Sequence, residues 1–305
     1  MADKNELEKP FKDQFIVRGF FYKNSSGVKF RRYLEIIRKE FYEEFYDEKN
    51  DKFKDDFKKE DNDLNVIMMN PGGGRPKDKD IDKDKDKYKD RSNELPEPKE
   101  MEFVTAIPDD TQYQIMRVMN QCEPKLNYAK VINLSDFMNS KSTDFIHFYF
   151  NNFSNNNELD KIKERLVKKY KEDKEYKEKV KEIQQYLNKN GLDNKENKIY
   201  SIFLDDPKKF LKEYLNPDEV FILAWGVDDK LLEIRKLAYE RIYEVFGNKI
   251  KVVGLESKDN KDNYAFYHPL PQSNPKSIIL WPYKITDKIK KKQYLKPIPE
   301  TKNNT

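Results

Sequence analysis

The chain of 305 residues balances 60 Lys and Arg against 56 Asp and Glu, so its net charge of +4 permits nucleic-acid binding without demanding it. Charged residues make up 38% and hydrophobic residues 36%, so one aromatic-rich core (20 Phe, 19 Tyr) must coexist with long solvated insertions. A single cysteine, Cys122, excludes a disulfide framework and a Cys-rich zinc site, and two histidines, His147 and His268, exclude a metal site built on several His ligands.

Residues 12–21 (KDQFIVRGFF) predict a short strand. Over 27–47, Phe30, Tyr33, Leu34, Ile37, Phe41 and Phe45 recur at helical spacing, which predicts an amphipathic helix with a core-packing face. Residues 1–63 are thus expected to add a strand and a helix, ending in a charged connector over 48–63. The strand expected over Leu64–Met69 carries the unbroken apolar run Val66–Met69, as in a strand buried on both faces of a parallel sheet. It stops at Asn70-Pro71 and runs into Gly72, Gly73 and Gly74, three of the nine glycines in the chain.

Nearly pure alternating charge over 77–100 has nothing to bury and reads as a solvated loop. Asp110-Thr111 marks a helix start, with helical periodicity over 111–122. A second buried-type strand follows in 128–137 (YAKVINLSDF). Residues 140–205 form an insertion whose Lys/Glu-rich part, 157–190, predicts a solvent-facing helical hairpin. A helix over 206–217 closes at Pro217. Further strands lie at 219–226 (EVFILAWG) and 249–257, separated by a helix over 228–246.

Strand–helix alternation with four short apolar strands predicts an α/β fold, a three-layer α/β/α sandwich around a four-stranded, mostly parallel sheet carrying charged helical insertions. Ligands of such sheets bind outside the carboxyl ends of the strands. That rule singles out Asn70–Gly74, Asn133–Asp136, Trp225-Gly226 and His268–Pro271. The glycine turn lacks the Lys-Ser/Thr of a P-loop and the G-x-G-x-x-G spacing of a dinucleotide fold.

Read in order, the strand ends give "MMNPGG", "VINLSDF", "FILAWG" and "YHPLPQS". This series resembles the uracil-DNA glycosylase superfamily. It also resembles a small bacterial family of that fold, of obscure function, to which "DDT" at Asp109–Thr111 adds a further element. The likeness covers 64–76, 109–138 and 219–273 within a domain over 64–273. A basic tail, 274–305, follows it.

The resemblance implies an enzyme that flips a pyrimidine out of DNA and hydrolyses its N-glycosidic bond. Asn70 would position the attacking water. His268 would stabilise the departing base. Asn133 would read the edge of the base, because a carboxamide offers donor and acceptor side by side. Gly72 would leave open the space that a tyrosine fills in the strict uracil branch, and Phe103 is the candidate stacking aromatic. Gly73 and Gly74 would let backbone approach DNA, and Leu270, Gln272 and Ser273 lie in the loop expected to enter the minor groove.

DNA is the expected partner, with the 140–205 insertion as a surface for a protein partner. Neither metal nor cofactor is implied. With no apolar leader core in MADKNELEKPFKDQF and no run near the ~18 apolar residues of a membrane span, the expected location is cytoplasmic. Two other readings stand beside the enzyme. One is a catalytically inert protein of the same fold that binds DNA or a protein; the other is a nucleotide- or phosphate-binding enzyme using the glycine turn as an anion nest.

Overall fold

The computed structural model describes residues 11, 13–23, 29–47, 52–53, 64–69, 71–72, 74–76, 102–138, 181, 185, 201–228, 231–256, 264–270 and 275–293. The charged loop 77–100, most of the 140–205 insertion and the tail beyond 293 lie outside them, as do Asn70, Gly73, Gln272 and Ser273.

The strands are β1 (Phe15–Lys23), β2 (Lys29–Arg38), β3 (Tyr46–Asp47), β4 (Lys52–Phe53), β5 (Leu64–Met68), β6 (Arg75–Pro76), β7 (Glu102–Ile107), β8 (Tyr128–Asn133), β9 (Val220–Ala224) and β10 (Lys251–Gly254). The helices are α1 (Lys39–Phe45), α2 (Asp110–Gln121), α3 (Ile202–Asp205), α4 (Pro207–Tyr214), α5 (Leu232–Phe246) and α6 (Pro275–Lys290). Eight strands form one sheet in the order β10-β9-β5-β8-β2-β1-β7-β6. The four expected strands are adjacent and mutually parallel. The sheet does not stop there, however. β2 joins β8 antiparallel and carries β1, β7 and β6 after it, so the expected four-stranded sheet is corrected to eight strands.

The expected helix over 27–47 is the main error within the described residues. Lys29–Arg38 is a strand, and only Lys39–Phe45 is helical. The pairing explains the misleading period. Phe20 pairs with Tyr33 but Phe21 pairs with Arg31, so β2 carries one extra residue at this point. A bulge adds one to the strand period of two, which puts Phe30 and Tyr33 three apart on the same face of the sheet. Burial on both faces then supplies apolar residues at the remaining helix-like positions.

Two cores flank the sheet. One joins Ile67, Ile132, Phe221 and Leu223 to Ile202, Phe203, Leu211, Leu237 and Ile242 of α3, α4 and α5. The other joins Leu64, Val66, Met68, Val131 and Ile222 to Ile115, Met116 and Met119 of α2 and Trp281 and Ile285 of α6. Alternate residues of each parallel strand feed opposite cores, which is why these strands read as largely apolar runs without polar alternation. No helix among the described residues is long and apolar enough to cross a membrane.

Candidate functional site

In the parallel half, the chain order of the strands reverses between β5 and β9, and the crevice beyond their carboxyl ends is the position where such sheets bind ligands. Met68, Asn133 and Ala224 stand side by side at these ends. The Leu134 N–H donates to the Met68 carbonyl at 2.9 Å, tying the two chain exits together. Beyond β9, the Gly226 N–H donates to the Phe266 carbonyl at 2.9 Å, and Trp225 Nε1 donates to the Tyr264 carbonyl at 2.7 Å. These bonds hold the segment leading to His268 against the same edge. Trp225 itself is fully buried core.

Asp109 organises the turn side of the crevice. As N-cap of α2 it accepts from the N–H groups of Thr111 (3.0 Å) and Gln112 (3.2 Å) through Oδ1, and from the Gly74 N–H (3.0 Å) through Oδ2. The Asp109 N–H in turn donates to Gln112 Oε1 at 2.7 Å, completing a capping box. One carboxylate therefore starts the helix and pins the glycine turn. The space beside Gly72 belongs to this carboxylate, since a Cβ there would fall 2.6 Å from Asp109 Oδ2.

His268 lies within the electrostatic reach of Asp109. Burial pushes its imidazole down to about 4, against smaller opposing effects of Asp109 and of the Leu270 backbone, so the ring is neutral at pH 7. The Leu270 N–H donates to His268 Nδ1 at 3.2 Å. A nitrogen that accepts carries no proton in the neutral ring, so the proton resides on Nε2, which is a donor. Gln114 of α2 donates from Nε2 to the Pro269 carbonyl at 3.2 Å, anchoring this loop to the helix that Asp109 caps.

Asn133 is buried, and neither its Oδ1 nor its Nδ2 has a hydrogen-bond partner. It faces the α2 side of the sheet, in phase with Ala129 and Val131. Arg31 shows the same condition more severely: it is fully buried and none of its three nitrogens is partnered. Among the described residues, these are the two whose side-chain polar atoms are all buried and all unpartnered. Natural folds rarely tolerate such groups without a function or a bound partner.

The structure thus brings Gly72, Gly74, Asn133, His268 and Leu270 to one edge of the parallel half. It does not bring Phe103 there. That residue is on β7, three strands from β8, with its ring 4.6 Å from Phe20 and the Arg18 guanidinium 4.3 Å above it. Sequence reasoning passed over Arg31, Gln112 and Gln114 and noted Asp109 only within a motif. The D-x-x-Q spacing of Asp109 and Gln112 was a usable capping-box signal. Arg31 carried none, because a helical reading of 27–47 hides which face it occupies.

Comparison of the chain with protein-family models, curated proteins and solved structures found no match to any of them. The site itself must carry the functional argument.

Proposed function

We propose that the chain is a DNA glycosylase that binds an extrahelical pyrimidine in this crevice and hydrolyses its N-glycosidic bond. The observation that carries the reading is the Asn133 carboxamide, buried with donor and acceptor both unspent at the carboxyl end of β8. A pyrimidine edge presents an adjacent acceptor and donor, and pairing with it removes the penalty of leaving both amide atoms bare.

His268 supports the same reading. As a neutral donor from Nε2 it suits the carbonyl oxygen on which negative charge grows as the base departs, and burial strengthens that interaction. In the proposed reaction, the bond from the sugar anomeric carbon to the base nitrogen breaks and its electron pair leaves with the base. Water bonds to the anomeric carbon, one water proton ends on the base, and an abasic sugar remains. The water-positioning role stays with Asn70, on the resemblance of its motif. An amide is a weak base, so the rate rests on leaving-group stabilisation.

The test is alkali cleavage of single- and double-stranded oligonucleotides carrying uracil, a thymine mismatch or a 5-modified pyrimidine after incubation with the protein. The expected result is strand scission on at least one substrate that is lost in Asn133→Ala and reduced about 100-fold or more in His268→Ala. Absence of abasic sites on every substrate sinks the proposal and leaves a binding role for the same crevice.

A further inference from the structure

Two consecutive arginines on β2 meet opposite fates. Arg32 Nε pairs with Asp136 Oδ2 at 2.9 Å, and its guanidinium lies over Phe210 on the α4 side. The bulge sets Arg31 opposite Phe21, on the α2 side, where no carboxylate pairs with it. Asp109 is near enough to act on its charge, yet its two oxygens are committed to the N–H groups of Gly74, Thr111 and Gln112. Burial lowers the guanidinium to about 10, which leaves it charged at pH 7.

Gln112 adds a second unspent donor. Its Oε1 is taken by the Asp109 N–H, which fixes the amide orientation and leaves Nε2 buried without a partner. A Cβ on Gly74 would fall 2.7 Å from Arg31 Nη1, 2.8 Å from Gln112 Nε2 and 2.9 Å from Gln112 Oε1, so both side chains pack directly against Gly74 beneath the turn. Glycine at 74 is what lets the two side chains approach the turn this closely, and any larger residue would collide with them.

We infer that Arg31 and Gln112 form a receptor for a phosphate-class oxyanion beneath the glycine turn. The unpartnered atoms of Arg31 and Gln112 are all hydrogen-bond donors, which selects an acceptor-only ligand. The planar fork of a guanidinium matches two oxygens of such an anion, and the amide N–H meets a third. An anion there also supplies the counter-charge that the fold withholds from Arg31. Occupancy would brace Gly74, and with it the turn that follows Asn70. The inference uses residues other than Asn133 and His268, so base release and anion binding can fail separately.

Calorimetry and thermal melts of the full chain, with inorganic phosphate against chloride at matched ionic strength, test it. Phosphate is expected to bind with one site per chain and to raise the melting temperature, and Arg31→Met to lose both effects. Should Arg31→Met fail to fold, Gln112→Glu keeps the capping box and gives Arg31 an internal carboxylate. It is expected to weaken phosphate binding about tenfold or more. Deoxyuridine monophosphate displacing phosphate while deoxyuridine does not would assign the anion to a nucleotide; phosphate alone responding would assign it to the free ion, and either result supports the receptor. A phosphate response no larger than that to chloride, or one unchanged in Gln112→Glu, overturns it.

Discussion

In the parallel half of the sheet, β5, β8, β9 and β10 bury mostly apolar side chains on both faces, with Asn65, Lys130 and Asn133 as their buried polar residues. In the antiparallel half, β1 and β2 bury Arg18, Arg31, Arg32 and Glu35 within the sheet itself. The halves meet where β8 pairs with β2, and a polar row crosses that seam in register: Asn65 beside Lys130, Lys130 beside Glu35, Glu35 beside Arg18. Lys130 Nζ pairs with Glu219 at 2.8 Å, while Tyr128 and Tyr33 both donate to Glu35. Apolar burial fixes where a strand lies but tolerates many sequences. Buried polar groups specify partners, because each must be satisfied. The two halves divide the labour: the parallel half frames the crevice, and the antiparallel half joins to it through groups whose pairing admits few alternatives.

The largest expected effect lies at the seam. Lys130→Met strands the Glu219 carboxylate in the interior and should cost about 3–5 kcal/mol in urea denaturation. The double variant Lys130→Met/Glu219→Leu should recover most of that loss, because both charges then leave together. If the double variant is no more stable than the single one, the seam is held by something other than charge pairing.

Next in size is Asp109→Ala, which removes the α2 cap and the anchor of Gly74. A loss of about 1–2 kcal/mol is expected, with weaker phosphate binding as the turn loosens. Unchanged stability would show that the turn is held without the cap.

A smaller change of opposite sign is expected at the edge of the parallel half. Asn133→Leu replaces a bare amide by an apolar group of similar size, so the melting temperature should rise, by about 1 kcal/mol of stability, while base release disappears. A destabilised Asn133→Leu protein would mean that the amide is satisfied within the fold.

The finest test is pH. The folded His268 imidazole titrates near 4 against an ordinary 6.5, chiefly through burial, so the native state favours the neutral ring. Its contribution is complete above pH 6.5 and declines as the pH falls from there towards 4. His268→Gln should flatten the melting-temperature profile across that window. A profile identical to wild type would place the imidazole in solvent.

Much of the parallel half was legible beforehand because its signals are local. The Val66–Met68 run, the helix start at Asp110-Thr111, the apolar run Phe221–Ala224 and the Gly226 turn each declare themselves within a few residues. The edge residues Asn133 and His268 followed from those strand ends by the rule that open α/β sheets bind ligands there. The antiparallel half was hidden because its signals are not local. The Arg31–Arg32 bulge imitates a helical period, and β1, β2 and β7 show their role only once they pair with each other and with β8.

From its residue order alone, this chain determined that four apolar strands alternate with amphipathic helices, and that few polar groups sit where those strands end. That much follows from periodicity and burial, which act along the chain. Tertiary structure decided the rest. It extended the sheet to eight strands, passed Gly72's free space to Asp109, removed Phe103 from the crevice and set Arg31 against Gln112. Those outcomes depend on which strand lies beside which and on whether a buried charge meets its counter-charge. Both are properties of contacts between residues far apart in sequence.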